Sequence, residues 1–429
     1  MKPAAQAQAS IDLLDQVIDT GYPADRIMAQ YFRSHRYIGS KDKAAISEHL
    51  YTVLRQRLSL EYLLTLADLP KHNRFLIALM LHGQGCKVTE YFNGEGYNPK
   101  SLPEEDVIQL ENIDFSVLDN APQHVQLNVP EWLAEKLVES LGDRFVIEMQ
   151  ASNQRACTDI RVNLLKSNVD QVKDELDKVG FVVEKGRLSP WGLRFKQRVA
   201  LFGIDSFKKG WFEIQDEGSQ LLALLSGVEA GQKVVDFCAG AGGKTLAMAA
   251  MMSNKGVIYA CDVHTKRLKQ LSLRLKRAGA HNVRTHVLSS EQDKWVKQHR
   301  GIADVVLVDA PCSGTGTWRR SPDSRWNLKP ENLANLIKLQ QSILQSAARL
   351  VKPGGRLYYA TCSLLIDEND NQISEFLRTN ENFELGELIL GEKLQDNSER
   401  MQLEKHQLKL LPALSDTDGF YICALTRKI

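Results

Sequence analysis

The feature that most constrains the fold of this 429-residue chain is a regular alternation of apolar strands and amphipathic helices from residue 232 onward. Apolar runs predict strands at 233–237, 256–261, 283–288, 303–309 and 355–361, with a late strand at 419–426. Helical spacing of apolar residues fills the intervals, for example at 266–278 and 333–350. Strands that alternate with helices form parallel sheets covered on both faces. We therefore predict a doubly wound α/β domain over 226–429.

The preceding sequence predicts two further modules. Leu13, Leu14 and Val17 begin a helical apolar stripe, and helical spacing continues to about residue 85 without β alternation. This pattern predicts an all-helical domain over 1–138. From residue 158 the pattern becomes strand, helix, strand, which predicts a small β-α-β module within 139–225.

Composition excludes several classes of protein. Hydrophobic residues make up 43% of the chain and charged residues 25%, as in ordinary globular proteins. The seven cysteines are scattered, which predicts neither a metal site nor a disulfide framework. No apolar run is long enough for a signal peptide or a membrane span. We expect a cytoplasmic monomer without a membrane partner.

The net charge of +1 hides an uneven distribution of charge along the chain. Residues 1–140 hold 13 basic and 19 acidic side chains, whereas residues 231–429 hold 28 basic and 21 acidic ones. A basic surface is the electrostatic footprint expected of a nucleic-acid-binding protein. The excess is small, so the charge favours a nucleic-acid partner only weakly.

A glycine-rich turn follows the first strand of the doubly wound domain. Its residues are Cys238, Ala239, Gly240, Ala241, Gly242, Gly243 and Lys244. Glycines allow close approach of a ligand to the backbone, and a helix N-terminus offers free N–H groups to an anion. Asp262 ends the next strand, where a carboxylate can accept hydrogen bonds from ribose hydroxyls. These features predict a site for an adenosine-containing cofactor.

Three classes of cofactor compete for this turn. A phosphate-binding P-loop requires a glycine where Cys238 stands, and a dinucleotide fingerprint requires one where Thr245 stands. Both signatures fail by one residue. S-adenosylmethionine carries an adenosine and a carboxylate but no phosphate, so one glycine turn and Asp262 suffice. The sequence therefore favours S-adenosylmethionine.

Two cysteines stand just beyond the predicted carboxyl ends of strands. Cys312 follows the strand that ends at Asp309, and Cys362 follows the strand at 355–361. Open α/β sheets bind their ligands at this edge, whereas most other cysteines are small core residues. A thiolate that adds to C6 of a pyrimidine makes C5 nucleophilic enough to accept a methyl group. The pair therefore predicts covalent catalysis on a pyrimidine, with Asp309 at the edge of a cytosine.

These segments resemble the RNA cytosine-5 methyltransferases. The resemblance rests on residues 238–245, 309–316 and 360–363 and on Asp262 with Arg267, and it covers about 150–429. It implies a class I, Rossmann-like, S-adenosylmethionine-dependent methyltransferase fold. It also implies methylation of cytosine C5 in RNA, with small-subunit (16S) ribosomal RNA as the expected substrate. The helical N-terminal third resembles, less specifically, the NusB-type RNA-binding domain of that subgroup.

The resemblance implies catalytic roles for three residues. Cys362 is the implied nucleophile at C6, and Cys312 is implied to assist release of the enzyme from its product. Asp309 is implied to contact the cytosine and to lie beside the cofactor.

The resemblance also implies a set of cofactor contacts. Residues 238–244 wrap the methionine part of S-adenosylmethionine, Asp262 binds its ribose, and Arg267 is structural or lies near the cofactor. The family usually has an aspartate near the adenine. Here Glu291 is the best match for that residue, and Asp293 is the alternative.

Rival functions remain open at the level of sequence. Transfer RNA is an alternative substrate, and a non-catalytic RNA-binding assembly factor is an alternative function, although both cysteines argue against the latter. DNA enzymes place the nucleophile in a Pro-Cys, which here is Cys312. The additional cysteine within 361–363 favours RNA.

Residues 318–326 form a second candidate contact with RNA. Arg319, Arg320 and Arg325 stand there beside Trp318 and Trp326, a combination that can bind phosphates and stack on bases. The alternative is a loop whose tryptophans belong to the core.

Overall fold

The computed structural model describes residues 1–196 and 199–429. They form two compact units, one of residues 1–154 with 318–329 and the other of residues 155–317 with 330–429. The chain thus leaves the second unit after Thr317, contributes twelve residues to the first, and returns at Pro330. Throughout the described chain, the helices are too short or too polar to cross a bilayer. The domain division at residues 138 and 225 stays a prediction.

The first unit is built from helices, of which those between residues 3 and 111 share one apolar core. In chain order they are α1 (Pro3–Thr20), α2 (Ala24–Ser34), α3 (Ser40–Leu66), α4 (Asn73–Gly83), α5 (Val88–Tyr91), α6 (Glu104–Glu111), α7 (Gln123–Gln126), α8 (Glu131–Leu141) and α9 (Phe145–Ser152). The stripe of Leu13, Leu14 and Val17 is buried in this core. The helical N-terminal region is therefore confirmed, while its likeness to a NusB-type domain stays a prediction.

The second unit begins with a small sheet. Its elements are β1 (Thr158–Val162), α10 (Val169–Lys178), β2 (Glu184–Lys185), β3 (Gly192–Phe195), α11 (Asp205–Lys208) and β4 (Phe212–Ile214). The strand order is β2-β3-β1-β4, and all neighbours are antiparallel. The predicted β-α-β order occurs as β1-α10-β2, but β3 lies between the two strands because it pairs with both.

The rest of the chain holds the large sheet, its helices and a helix that belongs to the first unit. Its elements, in chain order, are α12 (Glu217–Leu225), β5 (Lys233–Asp236), α13 (Gly243–Met251), β6 (Val257–Asp262), α14 (Thr265–Ala278), β7 (Val283–Val287), α15 (Lys294–Gln298), β8 (Ala303–Asp309), α16 (Ser324–Asn327, in the first unit), α17 (Pro330–Ala348), β9 (Val351–Thr361), α18 (Asp370–Thr379), β10 (Phe383–Leu385), α19 (Glu392–Gln395), β11 (Gln402–Leu403), β12 (Gln407–Leu410), α20 (Pro412–Ser415) and β13 (Phe420–Arg427).

The topology of this sheet places the site. The strand order is β11-β12-β13-β9-β8-β5-β6-β7, with β10 paired to β13. Strands β5 to β9 are parallel, which confirms the doubly wound prediction, and β13 is antiparallel to β9. The chain order reverses between β5 and β8. Ligands of open α/β sheets bind at the carboxyl ends of the strands beside such a reversal.

Candidate active site

The turn between β5 and α13 can be built only with glycine at one position. Gly242 has φ of 84°, and a Cβ added there would lie 2.1 Å from Cδ1 of Leu271. Both the left-handed backbone and the contact exclude larger residues. Helix α13 therefore begins at Gly243 directly beneath the turn.

A cavity of about 540 Å³ lies at the carboxyl ends of β5, β6, β8 and β9. Of the predicted site residues, it is lined by Cys238, Ala239, Gly240, Ala241, Gly243, Lys244, Asp262, Arg267, Glu291, Asp309, Cys312 and Cys362. Gly242 instead packs against Leu271. A larger cavity of about 790 Å³ in the helical unit holds none of these residues. Chemistry rather than size therefore identifies the site.

Asp262 fixes the backbone on both sides of the cavity. Its Oδ2 accepts a hydrogen bond from the N–H of Gly240 at 2.7 Å, and its Oδ1 accepts one from the N–H of His264 at 2.7 Å. Each carboxylate oxygen keeps capacity for a second donor. The carboxylate is thus oriented to accept ligand hydroxyl groups.

Two arginines that the sequence analysis missed hold the turn in place. Arg161 of β1 donates to the carbonyl of Gly243 at 2.6 Å, and Arg274 of α14 donates to the carbonyl of Ala241 at 2.7 Å. Burial lowers the pKa of Arg161 to about 10, so it remains a cation at neutral pH. Glu213 pairs with Arg274 at 3.0 Å. These partners are distant in sequence, so no local pattern indicates them.

Lys244 and Asp309 form an ion pair at the wall of the cavity. Lys244 Nζ lies 2.6 Å from Asp309 Oδ2, and the lysine side chain is almost entirely buried. Burial alone lowers the pKa of Lys244, but the charges of Asp309 and Asp236 outweigh it and leave that pKa raised. The ammonium group therefore stays charged and fixes the orientation of the Asp309 carboxylate.

A second carboxyl group lies deeper beside this pair. Asp236 is buried and accepts a hydrogen bond from Thr245 Oγ1 at 2.6 Å. Burial, together with the negative charge of Asp309, raises the pKa of Asp236 to about 7. This carboxyl group therefore changes its protonation state near neutral pH.

The register of β8 and β9 brings the two predicted cysteines together. Asp309 pairs with Ala360 across the parallel strands, and the following loops carry Cys312 and Cys362. Their Sγ atoms are 3.3 Å apart, within hydrogen-bonding distance for sulfur. The hydrogen bond to Cys362 and burial raise the pKa of the Cys312 thiol well above its usual range. The structure thus presents two thiols that can share a proton.

Comparisons with known proteins agree with this geometry. The family described as 16S rRNA methyltransferase RsmB/F matches residues 223–426, and the ferredoxin-like domain of RsmF/B-like methyltransferases matches residues 129–201. A probable ribosomal RNA small subunit methyltransferase B from Synechocystis sp. is 33% identical over 304 residues, which cover 70% of this chain and 67% of that protein. The chain belongs to the RsmB/F family of 16S rRNA methyltransferases.

Full-length similarity supports the same assignment. The ribosomal RNA small subunit methyltransferase B of Photorhabdus laumondii is 28% identical over 97% of both chains. The crystal structure of the protein PH0851 superposes with a TM-score of 0.77 at 26% identity and covers 99% of both chains. This RsmB/F family member is therefore an S-adenosylmethionine-dependent methyltransferase by family and by fold.

Glu291 and Asp293, the two candidates for the acidic residue near the adenine, make different contacts. Glu291 lines the cavity of this RsmB/F protein and accepts a hydrogen bond from Ser342 Oγ at 2.8 Å. Asp293 instead caps α15 by accepting the N–H of Trp295 at 2.8 Å. The geometry therefore favours Glu291 over Asp293 as a residue that can contact a ligand.

Trp318, Arg319 and Arg325 are buried in the first unit, so the expectation of an exposed RNA platform is wrong for these three residues. The alternative, a loop with a core tryptophan, holds for Trp318. Trp318 and Arg325 are fully buried, and the guanidinium group lies 4.4 Å from the indole ring centre. Arg325 donates to the carbonyl of Asn128 at 2.8 Å, and Trp326 Nε1 donates to the carbonyl of Leu54 at 2.7 Å. In this RsmB/F protein the segment therefore bonds to α3 and to the loop that follows α7.

Proposed function

We propose that this protein methylates C5 of a cytosine in RNA through a covalent adduct, and that its substrate in the cytoplasm is small-subunit ribosomal RNA. The observation that carries the proposal is the pair of thiols, 3.3 Å apart, beside the cavity that Asp309 also lines. Methyltransferases that act on more nucleophilic atoms have no need of such a pair.

The residues of the cavity fit S-adenosylmethionine. Asp262 presents an oriented carboxylate to ribose hydroxyls, and the N–H groups at the start of α13 suit the carboxylate of the methionine part. Glu291 also lines the cavity, and its carboxylate can accept a hydrogen bond from the adenine amino group. When bound, this cofactor supplies an electrophilic methyl group on a sulfonium.

Cys362 is the proposed nucleophile. Its thiolate forms a bond to C6 of cytosine, and the electron pair of the C5–C6 double bond moves to C5. C5 then takes the methyl group from the sulfonium, whose sulfur is left as a neutral thioether. A base then removes the C5 proton. The C5–C6 double bond re-forms as the bond between sulfur and C6 breaks, which returns the Cys362 thiolate.

Cys312 is the proposed base. The pKa of its thiol is raised first by the hydrogen bond to Cys362, then by burial and by the negative charge of Cys362. Once Cys362 is bonded to C6, it has no charge and no longer acts as a strong hydrogen-bond acceptor. This removes two of the effects that raise the pKa of Cys312, so its thiol can release its proton to solvent and then, as a thiolate, accept the C5 proton.

Asp309 is the proposed contact to the base. One of its oxygens is held by Lys244 at 2.6 Å, and its side chain is one-third exposed toward the cavity. The other oxygen can accept a hydrogen bond from the 4-amino group of cytosine. This contact selects cytosine over uracil, which has a carbonyl group at that position.

An open groove on the second unit supports RNA as the polymer. It has a volume of about 860 Å³. Within the parts of the chain that the structure describes, its lining holds no acidic residue and consists of Lys166, Phe202, Phe207, Lys208, Lys209, Trp211, Leu273, Lys276 and Arg277. Helix α14 links this groove to the cavity, since Arg274 lines the cavity and Lys276 lines the groove. Cations beside the exposed ring of Phe202 and the half-buried ring of Trp211 suit a single strand.

The decisive experiment compares the wild type with Cys362→Ala, Cys312→Ala and the control Cys86→Ala. Each is incubated with S-adenosylmethionine and either small-subunit ribosomal RNA or transfer RNA. 5-Methylcytidine is then measured by mass spectrometry and the covalent adduct by denaturing gel. We expect Cys362→Ala to lose both signals, Cys312→Ala to accumulate adduct, and Cys86→Ala to match the wild type.

Three outcomes would replace the proposal. Full activity of Cys362→Ala would overturn the assignment of the nucleophile. Preferential methylation of transfer RNA would replace the substrate. A wild-type protein that binds ribosomal RNA but methylates neither RNA would support a non-catalytic assembly factor.

A further inference from the structure

A buried carboxylate joins the two cysteine loops. Glu368 lies in a short turn (Ile366–Glu368) between β9 and α18, and its side chain is fully buried. It accepts hydrogen bonds from the N–H of Ser313 at 2.9 Å, from Ser313 Oγ at 2.5 Å and from Ser363 Oγ at 2.5 Å. Ser313 directly follows Cys312 and Ser363 directly follows Cys362. One carboxylate therefore holds the neighbours of both thiols.

Helix α17 supports the same carboxylate. Gln340 Nε2 donates to Glu368 Oε1 at 2.9 Å and to the carbonyl of Pro311, just before Cys312, at 2.9 Å. A buried carboxylate without donors would be strongly disfavoured, whereas this one receives bonds from both loops and from a helix. Both cysteine loops and α17 thus donate hydrogen bonds to the same carboxylate, that of Glu368.

The two loops are also joined directly. The N–H of Gly316 donates to the carbonyl of Cys362 at 3.0 Å, and Thr315 Oγ1 lies 3.2 Å from Ser363 Oγ. Since Ser363 Oγ is shared between Thr315 and Glu368, loss of the carboxylate also loosens these bonds. Glu368 therefore acts on both cysteine loops through the serines that follow Cys312 and Cys362.

We propose that Glu368 is a positioning residue that holds Cys312 and Cys362 within hydrogen-bonding distance of each other. Its catalytic meaning rests on the proposed function, because only a reaction that uses both thiols requires their spacing to be fixed. The negative charge of Glu368 disfavours the Cys312 thiolate, so slower disulfide closure in a variant without that charge must come from the geometry. The charge contributes to the raised pKa of Cys312, after the larger effects of the bond to Cys362 and of burial.

The test replaces Glu368 with Gln, which keeps the volume but removes the charge and turns one acceptor into a donor. The matched control is Glu375→Gln on α18, whose carboxylate pairs with Arg378 in solvent. The first measurement needs no RNA. It is the rate at which diamide closes a disulfide between Cys312 and Cys362, followed by mass spectrometry of the linked peptides.

We expect Glu368→Gln to slow disulfide closure at least tenfold and to lower kcat for methylation at least tenfold. The KM for S-adenosylmethionine and the cofactor affinity by calorimetry should stay within twofold of the wild type, and Glu375→Gln should change nothing. Unchanged closure and unchanged kcat would overturn the proposal. A loss of kcat that merely parallels a loss of folded protein and of cofactor affinity would also overturn it.

A second variant covers the case in which Glu368→Gln does not fold. Ser363→Ala removes one of the donors to the carboxylate and leaves the charge in place, so a smaller slowing of closure, about threefold, is expected. Disulfide closure at the wild-type rate in a folded Ser363→Ala protein would count against the positioning role of Glu368. Because closure is measured without substrate, it tests Glu368 even if the wild type methylates no RNA.

Discussion

Lys244 Nζ lies 2.6 Å from Asp309 Oδ2, and this ion pair joins the glycine turn to the strand end that carries the proposed cytosine contact. Lys244 lies on α13 and Asp309 ends β8, 65 positions further along the chain. The proposed cofactor side and the proposed base side of the cavity are therefore linked through one hydrogen bond.

We expect Lys244→Met to lower kcat/KM for methylation by at least tenfold. The substitution leaves the Asp309 carboxylate without its cation, so the carboxylate is free to rotate. Steady-state kinetics with ribosomal RNA measures the effect. Lys255→Met, at an exposed position, is the control, and equal activity of the two variants would contradict the prediction.

The buried Asp236 predicts a pH dependence of stability. Its folded-state pKa of about 7 is raised above the unfolded value, so its stabilising contribution is complete below about pH 4 and is lost as the pH rises through 7. Asp236→Asn removes this titration and keeps an acceptor for Thr245. Urea unfolding should show the variant gaining roughly 2–3 kcal/mol relative to the wild type between pH 5 and pH 8. Parallel pH curves for the two proteins would refute the assignment.

Gly242→Ala should disrupt the turn far more than Gly240→Ala. An added methyl group at residue 242 meets Leu271 at 2.1 Å in a left-handed backbone, whereas at residue 240 it meets nothing within 4 Å. We expect a loss of roughly 2–4 kcal/mol in the free energy of unfolding for the first and about 1 kcal/mol for the second. Cofactor affinity by calorimetry should fall for Gly242→Ala. Similar costs at both positions would argue against the contact.

Arg325 should contribute to folding rather than to RNA binding. Arg325→Ala removes a buried side chain that bonds Asn128 and Asn153, so it should cost about 2–4 kcal/mol. The exposed Lys329→Ala should cost less than about 0.5 kcal/mol. RNA affinity of the folded Arg325→Ala protein should keep its salt dependence. A shallower dependence would restore the idea of a phosphate contact.

The basic groove predicts a measurable electrostatic contribution to RNA binding. Replacing Lys209 and Lys276 with Gln should reduce the slope of log K against log salt concentration by about 1.4, because each phosphate contact on a single strand contributes about 0.7. Filter binding between 50 and 200 mM salt, about the range over which such slopes are measured, gives the slope. Lys255→Gln with Lys428→Gln is the control pair, and an equal change in both pairs would exclude a local groove.

The strands and the site loops follow from local sequence. Alternating apolar runs place β5 to β9 within a few residues of their observed bounds, and β8 is predicted with its observed ends at 303 and 309. The same patterns place Cys312 and Cys362 at the ligand-binding edge, because parallel strands share one carboxyl end. Residues 318–326 show the limit of this reasoning. A run of Arg and Trp has the same composition whether it is exposed or buried.

The sequence by itself therefore determined the doubly wound sheet, the glycine turn and the place of Asp262, Cys312 and Cys362 at the ligand-binding edge, since each depends on periodicity or on a short motif. Only the tertiary structure decided that Arg161 and Arg274 hold the turn, that Glu368 joins the cysteine loops, and that the thiols lie 3.3 Å apart. These contacts join residues from different strands, helices and loops. Such pairs leave no periodic signal along the chain, because their distance is set by how the elements pack.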